Sequence, residues 1–260
     1  MGFDFRLICH EEAPAAWNMA VDEAILSNMQ RVKKRGENPL PTVRFYAWKP
    51  SAVSIGYFQS LLQEVDIGKC REREIDIVRR ITGGGAVYHD TEGEITYSII
   101  LPQEHQLAKG SILETYRRLC EGIIVGLSFM NIEAQFVPIN DIVVNSKKIS
   151  GNAQTRRYDG ILQHGTILLK VDPSVMFSVL KVPDEKIREK LIASVQERVT
   201  SVERILGRAV NRKEVLWYFV DGFSKALNAS FIRQDLTQEE IVLAEELEKK
   251  FSSDEWTGRR

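Results

Sequence analysis

The stretch RRITGGGAVYHD, residues 79–90, joins two arginines and three consecutive glycines to an alternating run that ends in histidine and aspartate. The preceding IDIVRR is rich in β-branched residues and predicts a strand, and "GEITYSIIL" further on predicts another. A glycine triplet lets the backbone adopt positive φ and lets a ligand approach without meeting a Cβ. Its successive N–H groups can converge on an anion. A plain turn between strands is the alternative, and the flanking residues decide between the two.

The two arginines stand at the end of the predicted strand. Alternation sends one side chain to each face, so one is expected at the glycine loop and the other in solvent or in an ion pair. Thr82 either hydrogen-bonds a ligand or holds the turn, and both roles stay open. The stretch lacks the Gly-Lys-Ser/Thr of a Walker loop and the G-x-G-x-x-G spacing of a dinucleotide-binding fold.

The remaining chain alternates short strands with amphipathic helices. Trp17, Val21, Ile25 and Met29 recur every four residues and predict one helix, and residues 111–128 predict another. Most segments after about residue 183 have helical periodicity. We therefore predict an α/β (α+β) fold in which a sheet is covered by helices, as one domain over residues 1–260 with a helical tail from about 183 and a weak boundary near Pro183.

Composition excludes several classes of protein. The 260 residues carry a formal net charge of −1 with a sequence pI of about 6.5, so no global basic field would recruit nucleic acid or an anionic membrane. No stretch approaches the ~20 apolar residues of a membrane span, and the first residues lack the zones of a signal peptide. The three cysteines are far apart and suggest neither a disulfide framework nor a thiolate metal site. We expect a cytoplasmic protein.

A second polar constellation is NDIVVNSKKISGNAQTRR, residues 140–157, followed by LQHGTILL, residues 162–169. The first segment predicts two strands joined by an Asn145-Ser146 turn. Lys147 is expected to be solvated, as exposed lysines usually are. Lys148 differs, because it opens the strand KISG, whose small and polar residues leave space around its ammonium group.

Together these motifs resemble the lipoate-protein ligase family, within the biotin and lipoate ligase superfamily. RRITGGGAVYHD, NDIVVNSKKISGNAQ and LQHGTILL carry the resemblance, supported by NMAVDEAIL and VSIGYFQ. Several motifs in the correct order are specific where each alone would be weak. The final segment is similar to that of the short, archaeal-type catalytic subunits. The resemblance implies a mixed β-sheet flanked by helices.

The family's reaction implies the substrates and partners. Lipoate and ATP give lipoyl-AMP, and the lipoyl group then passes to a lysine of an acceptor, either a lipoyl domain of a 2-oxoacid dehydrogenase E2 subunit or the glycine-cleavage H protein. An ATP-dependent lipoate-protein ligase with ATP, Mg²⁺ and lipoate is therefore expected. Full-length bacterial ligases carry a further C-terminal domain, so a small accessory ligase subunit is also expected for adenylation.

The resemblance assigns site residues position by position. Lys148 matches the family's active-site lysine, which contacts both the lipoate carboxylate and the α-phosphate. These two anions repel each other by about 4 kcal/mol when they are ~4 Å apart at an effective dielectric constant of ~20, and the positive charge of the lysine offsets that repulsion. Asn140 and Asp141 match the pair near nucleotide and magnesium, with Asp141 as the Mg²⁺ ligand. For His89 and His164, ligand contact and hydrogen bonding of a loop are both open. Val87, Tyr88, Ile149 and Ala153 line an apolar slot or belong to the core. The remaining adenylate- and substrate-binding positions are Arg79, Thr82, Gly83, Gly84, Gly85, Ala86, Gly151 and Thr166.

The main alternative is a lipoyl or octanoyl transferase that moves an acyl group between carrier proteins without ATP. Cysteine-dependent relatives of that type carry their nucleophile in the loop before the segment that matches NDIVV. Here that loop reads QFVPI, residues 135–139, without cysteine, which favours the ligase. A biotin ligase is disfavoured because its Gly-Arg-Gly-Arg run is absent. A carrier-binding subunit without turnover is the non-enzymatic alternative, against which Lys148, Asn140 and Asp141 argue.

Overall fold

A computed structural model describes residues 2–182 and 184–260 of the chain. Strands and helices follow one another along its whole length, with one short 3₁₀ turn at Gln106–Ala108. In chain order they are β1 (Phe3–Ala13), α1 (Ala15–Lys34), β2 (Thr42–Trp48), β3 (Ala52–Ile55), α2 (Leu61–Glu64), α3 (Ile67–Glu72), β4 (Asp76–Arg79), β5 (Val87–His89), β6 (Glu94–Pro102), α4 (Ile112–Ser128), β7 (Gln135–Val137), β8 (Asp141–Val144), β9 (Lys147–Arg157), β10 (Gly160–Leu168), α5 (Pro173–Val179), α6 (Glu185–Arg198), α7 (Val202–Leu206), α8 (Arg212–Leu227), β11 (Ala229–Arg233), α9 (Gln238–Phe251) and α10 (Asp254–Thr257).

The main sheet has eight strands in the order β11-β1-β2-β6-β10-β9-β8-β7. Strand β1 runs parallel to both of its neighbours, and the strand pairs from β2 to β7 are antiparallel. The turn between β8 and β9 has positive φ at Asn145 and Ser146, as a tight hairpin requires. The predicted mixed sheet flanked by helices is confirmed.

A second sheet of three strands, β4-β3-β5, holds the glycine stretch. Arg79 of β4 lies beside Ile55 of β3 in a parallel pair, and Val87 of β5 lies opposite Ser54 in an antiparallel pair. Residues 82–86, called the glycine loop below, therefore connect two strands on either side of the carboxyl end of β3. This is the strand–loop–strand unit that the sequence predicts.

Helices cover both faces of the main sheet. Apolar side chains of α4 and α8 pack with Tyr97 and Ile99 into one core, and those of α1 and α9 pack with Tyr46 and Ile100 into another. Ser111 caps α4 in a capping box with Glu114, which stabilises the helix start. The two helix pairs fix the central strands, which supply part of the lining of the cavity described below.

The C-terminal part of the chain is mostly helical but contributes one strand. Strand β11 pairs in parallel with β1, with Phe231 beside Phe5, and so extends the main sheet at its edge. The predicted helical tail is therefore interrupted, because pairing with a distant strand decides the conformation of these five residues. The boundary predicted at Pro183 lies outside the described residues. Among residues 2–182 and 184–260, no helix is long and apolar enough to cross a membrane.

Candidate active site

A cavity of about 340 Å³ is lined by residues from both sheets and from α5 and α6. A volume of ~300–1,000 Å³ is typical of small-ligand sites. Its apolar surface includes Met19, Tyr46, Trp48, Val87, Leu168 and Met176. Its charged lining includes Arg80 at the glycine loop, Lys148 at the start of β9 and Glu94 of β6, so the cavity offers both apolar contacts and charged groups.

Most of the predicted site residues line this cavity. Thr82, Gly83 and Asp141 do not line it but adjoin residues that do. Ile149, a candidate for the apolar slot, instead lies in the core with α4, because alternation along β9 turns it away from the face of Lys148. The predicted residues on the lining are Gly84, Gly85, Ala86, Val87, Tyr88, His89, Asn140, Lys148, Gly151, Ala153, His164 and Thr166.

The structure does not bring Arg79 to the cavity, where the sequence predicts it. Its buried guanidinium donates to the carbonyls of Gly56 and Gln59, at 3.1 and 2.6 Å, and of Thr257, at 2.7 Å. These acceptors belong to the segment after β3 and to α10, and Arg79 is absent from the cavity lining. Arg79 thus ties two distant segments together behind the glycine loop.

Arg80 is the arginine that reaches the glycine loop. Its Nη1 donates to Ser54 Oγ at 2.8 Å, and its Nη2 donates to the carbonyls of Gly83 and Gly85 at 3.1 and 2.9 Å. Burial lowers the pKa of Arg80 to about 10, which still leaves the group charged at neutral pH. Of the two arginines before the glycine loop, Arg80 therefore holds the backbone of the loop, and it does so from the side of the cavity.

The loop has a backbone that side chains would not tolerate. Gly84 adopts φ +101°, a region that favours glycine. A Cβ on Gly56, the residue after β3, would lie 2.0 Å from the carbonyl oxygen of Gly84, so that neighbour must be glycine too. The loop is consequently pressed against the end of β3 and leaves its other side to the cavity.

Lys148 stands at the charged end of the cavity. Its Nζ lies 2.7 Å from Asp141 Oδ1, in a pair whose side chains are 40% and 34% exposed. Its stem crosses Gly151, where a Cβ would lie 2.7 Å from Lys148 Cε. Glycine at position 151 therefore gives the lysine its path, and partial exposure leaves the ammonium free to exchange Asp141 for an anionic ligand.

Asn140 and Asp141 serve the hairpin itself. Asn152 Nδ2 donates to the carbonyl of Asn140 at 2.8 Å, and the Asn140 amide donates back to the carbonyl of Asn152. Asp141 faces Lys148. Within the described part of the chain, no group of three or more His, Cys, Asp or Glu residues could hold a metal ion. These residues do not fit a metal centre of their own, so no step is derived through Mg²⁺.

His164 belongs to a buried network. Its Nδ1 lies 3.2 Å from Asp22 Oδ2 and its Nε2 lies 2.8 Å from Thr82 Oγ1. Burial lowers the pKa of His164, so the neutral ring donates to Asp22 and accepts the Thr82 hydroxyl. Arg44 donates to Asp22 at 2.7 Å. Although burial opposes ionisation of Asp22, the Arg44 charge and the hydrogen bond from His164 keep its pKa below the usual value.

His89 forms a second buried chain. Its Nδ1 lies 2.7 Å from Glu94 Oε1, and its Nε2 lies 2.7 Å from Ser54 Oγ. The ring stacks on Trp48 with centroids 4.1 Å apart. Both histidines therefore hold structural hydrogen bonds and also line the cavity.

Sequence reasoning missed Arg80, Ser54 and Glu94. Alternation offered Arg80 and Arg79 equally. For Ser54 the signal was its position between Val53 and Ile55, which lie in a separate apolar cluster and leave Ser54 on the opposite face. Glu94 accepts from Thr96 of its own strand and lies beside His89 of β5, and no local pattern predicts the contact with His89.

Comparison with known proteins gives the family. Residues 14–224 match the family described as Lipoyl protein ligase A/B catalytic domain. The chain is 35% identical to "Octanoyltransferase LipM" of Brevibacillus brevis, over 98% of this chain and 99% of the relative. It is 37% identical to "Octanoyltransferase LipM" of Kyrpidia tusciae, with the same coverage.

Solved structures of similar fold are lipoate-protein ligases. A bipartite lipoate protein ligase of Thermoplasma acidophilum, described with its E2 lipoyl domain, superimposes with a TM-score of 0.86 at 33% identity, covering 98% of this chain and 96% of that one. A lipoate-protein ligase A solved with bound ATP gives 0.81 at 32% identity, covering 98% and 99%.

The relatives correct the predicted reaction. The expected ATP-dependent lipoate-protein ligase is wrong, because full-length relatives at 34–37% identity bear the name octanoyltransferase. They agree with the transferase that the sequence left as the alternative. The missing cysteine in residues 135–139 was thus a misleading discriminator. On the extent of these matches and the shared fold, the chain belongs to the family of the lipoyl protein ligase A/B catalytic domain and is an enzyme of the lipoate ligase and transferase type.

Proposed function

We propose that this protein is an acyltransferase that moves an octanoyl group from one carrier protein to a lysine of a lipoyl-acceptor domain, without ATP. The observation that carries the proposal is a cavity whose lining combines apolar side chains with Lys148 and the glycine loop. The names of the full-length relatives support the octanoyl group in particular.

The cavity suits a saturated chain with one reacting carbonyl. Met19, Trp48 and Leu168 offer apolar contact to the hydrocarbon. About 0.8 kcal/mol per buried CH₂ is gained when such a chain leaves water. The carbonyl of a chain inserted from the tail would remain beside Lys148 and the glycine loop.

Lys148 would stabilise the charge that develops during transfer. An amine or other nucleophile that adds to the acyl carbonyl creates an oxyanion, and a fixed donor at that oxygen typically contributes ~2.7–4 kcal/mol. The partly exposed ammonium of Lys148 can turn from Asp141 to this oxygen because its stem is long and flexible.

Both partners would be lipoyl-type or acyl-carrying domains. The structure of similar fold from T. acidophilum was described with an E2 lipoyl domain, which supports such a domain as acceptor. The accessory subunit was expected for adenylation, and transfer from an activated acyl carrier needs no adenylation.

The test supplies the purified chain with an octanoyl thioester of an acyl carrier protein and an unmodified lipoyl domain, without ATP. Intact mass of the lipoyl domain should rise by one octanoyl group. A lipoyl domain whose acceptor lysine is changed to alanine is the control and should gain nothing. Modification that requires free octanoate or lipoate together with Mg-ATP would contradict the proposal.

A further inference from the structure

Transfer between two carriers raises the question of where the acyl group rests. None of Cys9, Cys70 and Cys120 lines the cavity. Cys70 and Cys120 lie in apolar clusters, where burial raises the pKa of the thiols to about 11 and about 12. Cys9 is partly buried on β1, against the core on the α4 and α8 face. A thiolate nucleophile is therefore not available at the site.

The cavity instead has a buried hydroxyl in its wall, Ser54 Oγ, which is hydrogen-bonded to a base that is in turn hydrogen-bonded to a carboxylate. Ser54, His89 and Glu94 all line it. The Ser54 Oγ to His89 Nε2 and the His89 Nδ1 to Glu94 Oε1 distances are both 2.7 Å. Nucleophile, base and orienting group within hydrogen-bond reach are the geometry of activated serine nucleophiles on unrelated folds.

The proton positions are set by the neighbours. Glu94 also accepts from Thr96 Oγ1 at 2.7 Å, so it meets His89 as a proton acceptor and orients Nδ1–H toward itself. This leaves Nε2 as an acceptor. Arg80 donates to Ser54 Oγ at 2.8 Å, so the serine proton is directed to His89.

Arg80 gives this serine a further property. A guanidinium at hydrogen-bond distance from Oγ stabilises negative charge that develops on the oxygen. The same guanidinium fixes the carbonyls of Gly83 and Gly85, so serine and glycine loop keep a constant relation. The group is thus held in place before substrate arrives, as transition-state stabilisation requires.

On the basis of the proposed acyl transfer, we propose that Ser54 is the nucleophile, His89 the general base and acid, and Glu94 the residue that orients His89. Ser54 Oγ adds to the thioester carbonyl while its proton passes to His89 Nε2. The C–S bond then breaks, and the carrier thiol leaves with that proton. An octanoyl ester of Ser54 results.

The second half-reaction regenerates the serine. The acceptor lysine, as a free amine, adds to the ester carbonyl, and one amine proton passes to His89 Nε2. The C–O bond breaks, Ser54 Oγ recovers the proton, and an amide remains on the acceptor. Thioester, ester and amide are of decreasing reactivity, so both steps run downhill and need no further reactant.

The experiment incubates the chain with the octanoyl thioester of the carrier and no acceptor. Intact mass should show one octanoyl group on the enzyme, and fragmentation of the tryptic peptide containing Ser51, Ser54 and Ser60 should locate it on Ser54. Neutral hydroxylamine should leave this ester in place while it removes thioesters. Ser54→Ala should abolish the adduct and the transfer, whereas Ser60→Ala, on the same peptide but outside the cavity, should keep both.

Ser54→Cys guards against misfolding of the alanine variant. Its volume is close to that of serine, and its adduct should become removable by hydroxylamine, which a purely structural Ser54 would not produce. His89→Ala should slow adduct formation about 10²–10⁴-fold. Transfer by the wild type without an adduct on Ser54, or with an adduct on another residue, overturns the serine mechanism alone. Absence of both adduct and transfer overturns the proposed function as well.

Discussion

The cavity has two walls of opposite character. The loop wall, made by Ser54, Arg80, His89 and His164, is buried and every one of these side chains is hydrogen-bonded. The hairpin wall, made by Asn140, Lys148 and Gly151, opens to solvent and carries a lysine that is 40% exposed. The hydrogen-bonded side chains of the loop wall hold the site in a fixed geometry before the substrate binds. The exposed ammonium of Lys148 on the hairpin wall can instead move toward the charge that develops during the reaction.

The largest expected effect is on stability, and it follows from removing Arg44, which pairs with the Asp22 that holds His164 in the loop wall. Arg44→Met leaves the Asp22 carboxylate buried without its cation, with both side chains 2% exposed or less. Loss of one partner of a buried pair costs about 3–5 kcal/mol. Urea unfolding should show this decrease in the free energy of unfolding. Arg35→Met, which removes an exposed partner of Glu239, is the control and should leave the free energy of unfolding nearly unchanged, because an exposed ion pair is screened by solvent.

The hairpin wall should behave in the opposite way. Lys148→Ala should lower the rate of octanoyl transfer about 10²–10³-fold, through loss of oxyanion stabilisation worth ~2.7–4 kcal/mol. Its free energy of unfolding should change by less than ~1 kcal/mol, because the pair with Asp141 is partly exposed. Lys147→Ala, at the neighbouring position of β9, is the matched control. Equal rate defects in both variants would place the effect in the hairpin fold rather than in the ammonium.

The smallest expected effect is a pH dependence of the free energy of unfolding that comes from His10, next to Arg44. Burial and Arg44 lower the pKa of His10 to about 4, and its Nδ1 accepts from Arg44 Nε at 3.1 Å. The unfolded chain takes up this proton near pH 6.5, so the free energy of unfolding should fall as the pH drops from 6.5 towards 4. His10→Asn keeps an acceptor that does not titrate there.

Urea unfolding across that pH range should therefore give a shallower dependence for His10→Asn than for the wild type. Other buried histidines contribute to both proteins, so the difference isolates His10. If the free energy of unfolding depends on pH equally in both proteins, the folded state does not disfavour protonation of His10.

Local pattern predicted much of the fold and part of the site. Helix periodicity and the Asn145-Ser146 turn act over a few residues, and they appear where the sequence indicates. The glycine loop and Lys148 could be predicted because the residues that indicate them, GGG and KISG, are contiguous in the sequence.

What remained hidden depends on residues far apart in the chain. Alternation along the strand predicts that Arg79 and Arg80 point to opposite faces, but not which face lies toward the cavity. That depends on distant contacts such as the hydrogen bond from Arg79 to the carbonyl of Thr257, 178 residues away. Ser54 joins the site through its hydrogen bond to His89, 35 residues away, and β11 forms only by pairing with β1. Glu94 is only five residues from His89, but no short sequence pattern predicts the hydrogen bond between them. The reaction itself was misjudged because the absence of a thiol was weighed without knowledge of the other nucleophiles nearby.

Arg79 has a consequence for the order in which the molecule is completed. It joins the residues just before the glycine loop to carbonyls of Trp256 and Thr257. During synthesis from the ribosome, those acceptors emerge long after the loop. A nascent chain can thus hold every residue of the cavity and still lack the hydrogen bonds that brace the glycine loop from behind, until residues 256 and 257 have been added.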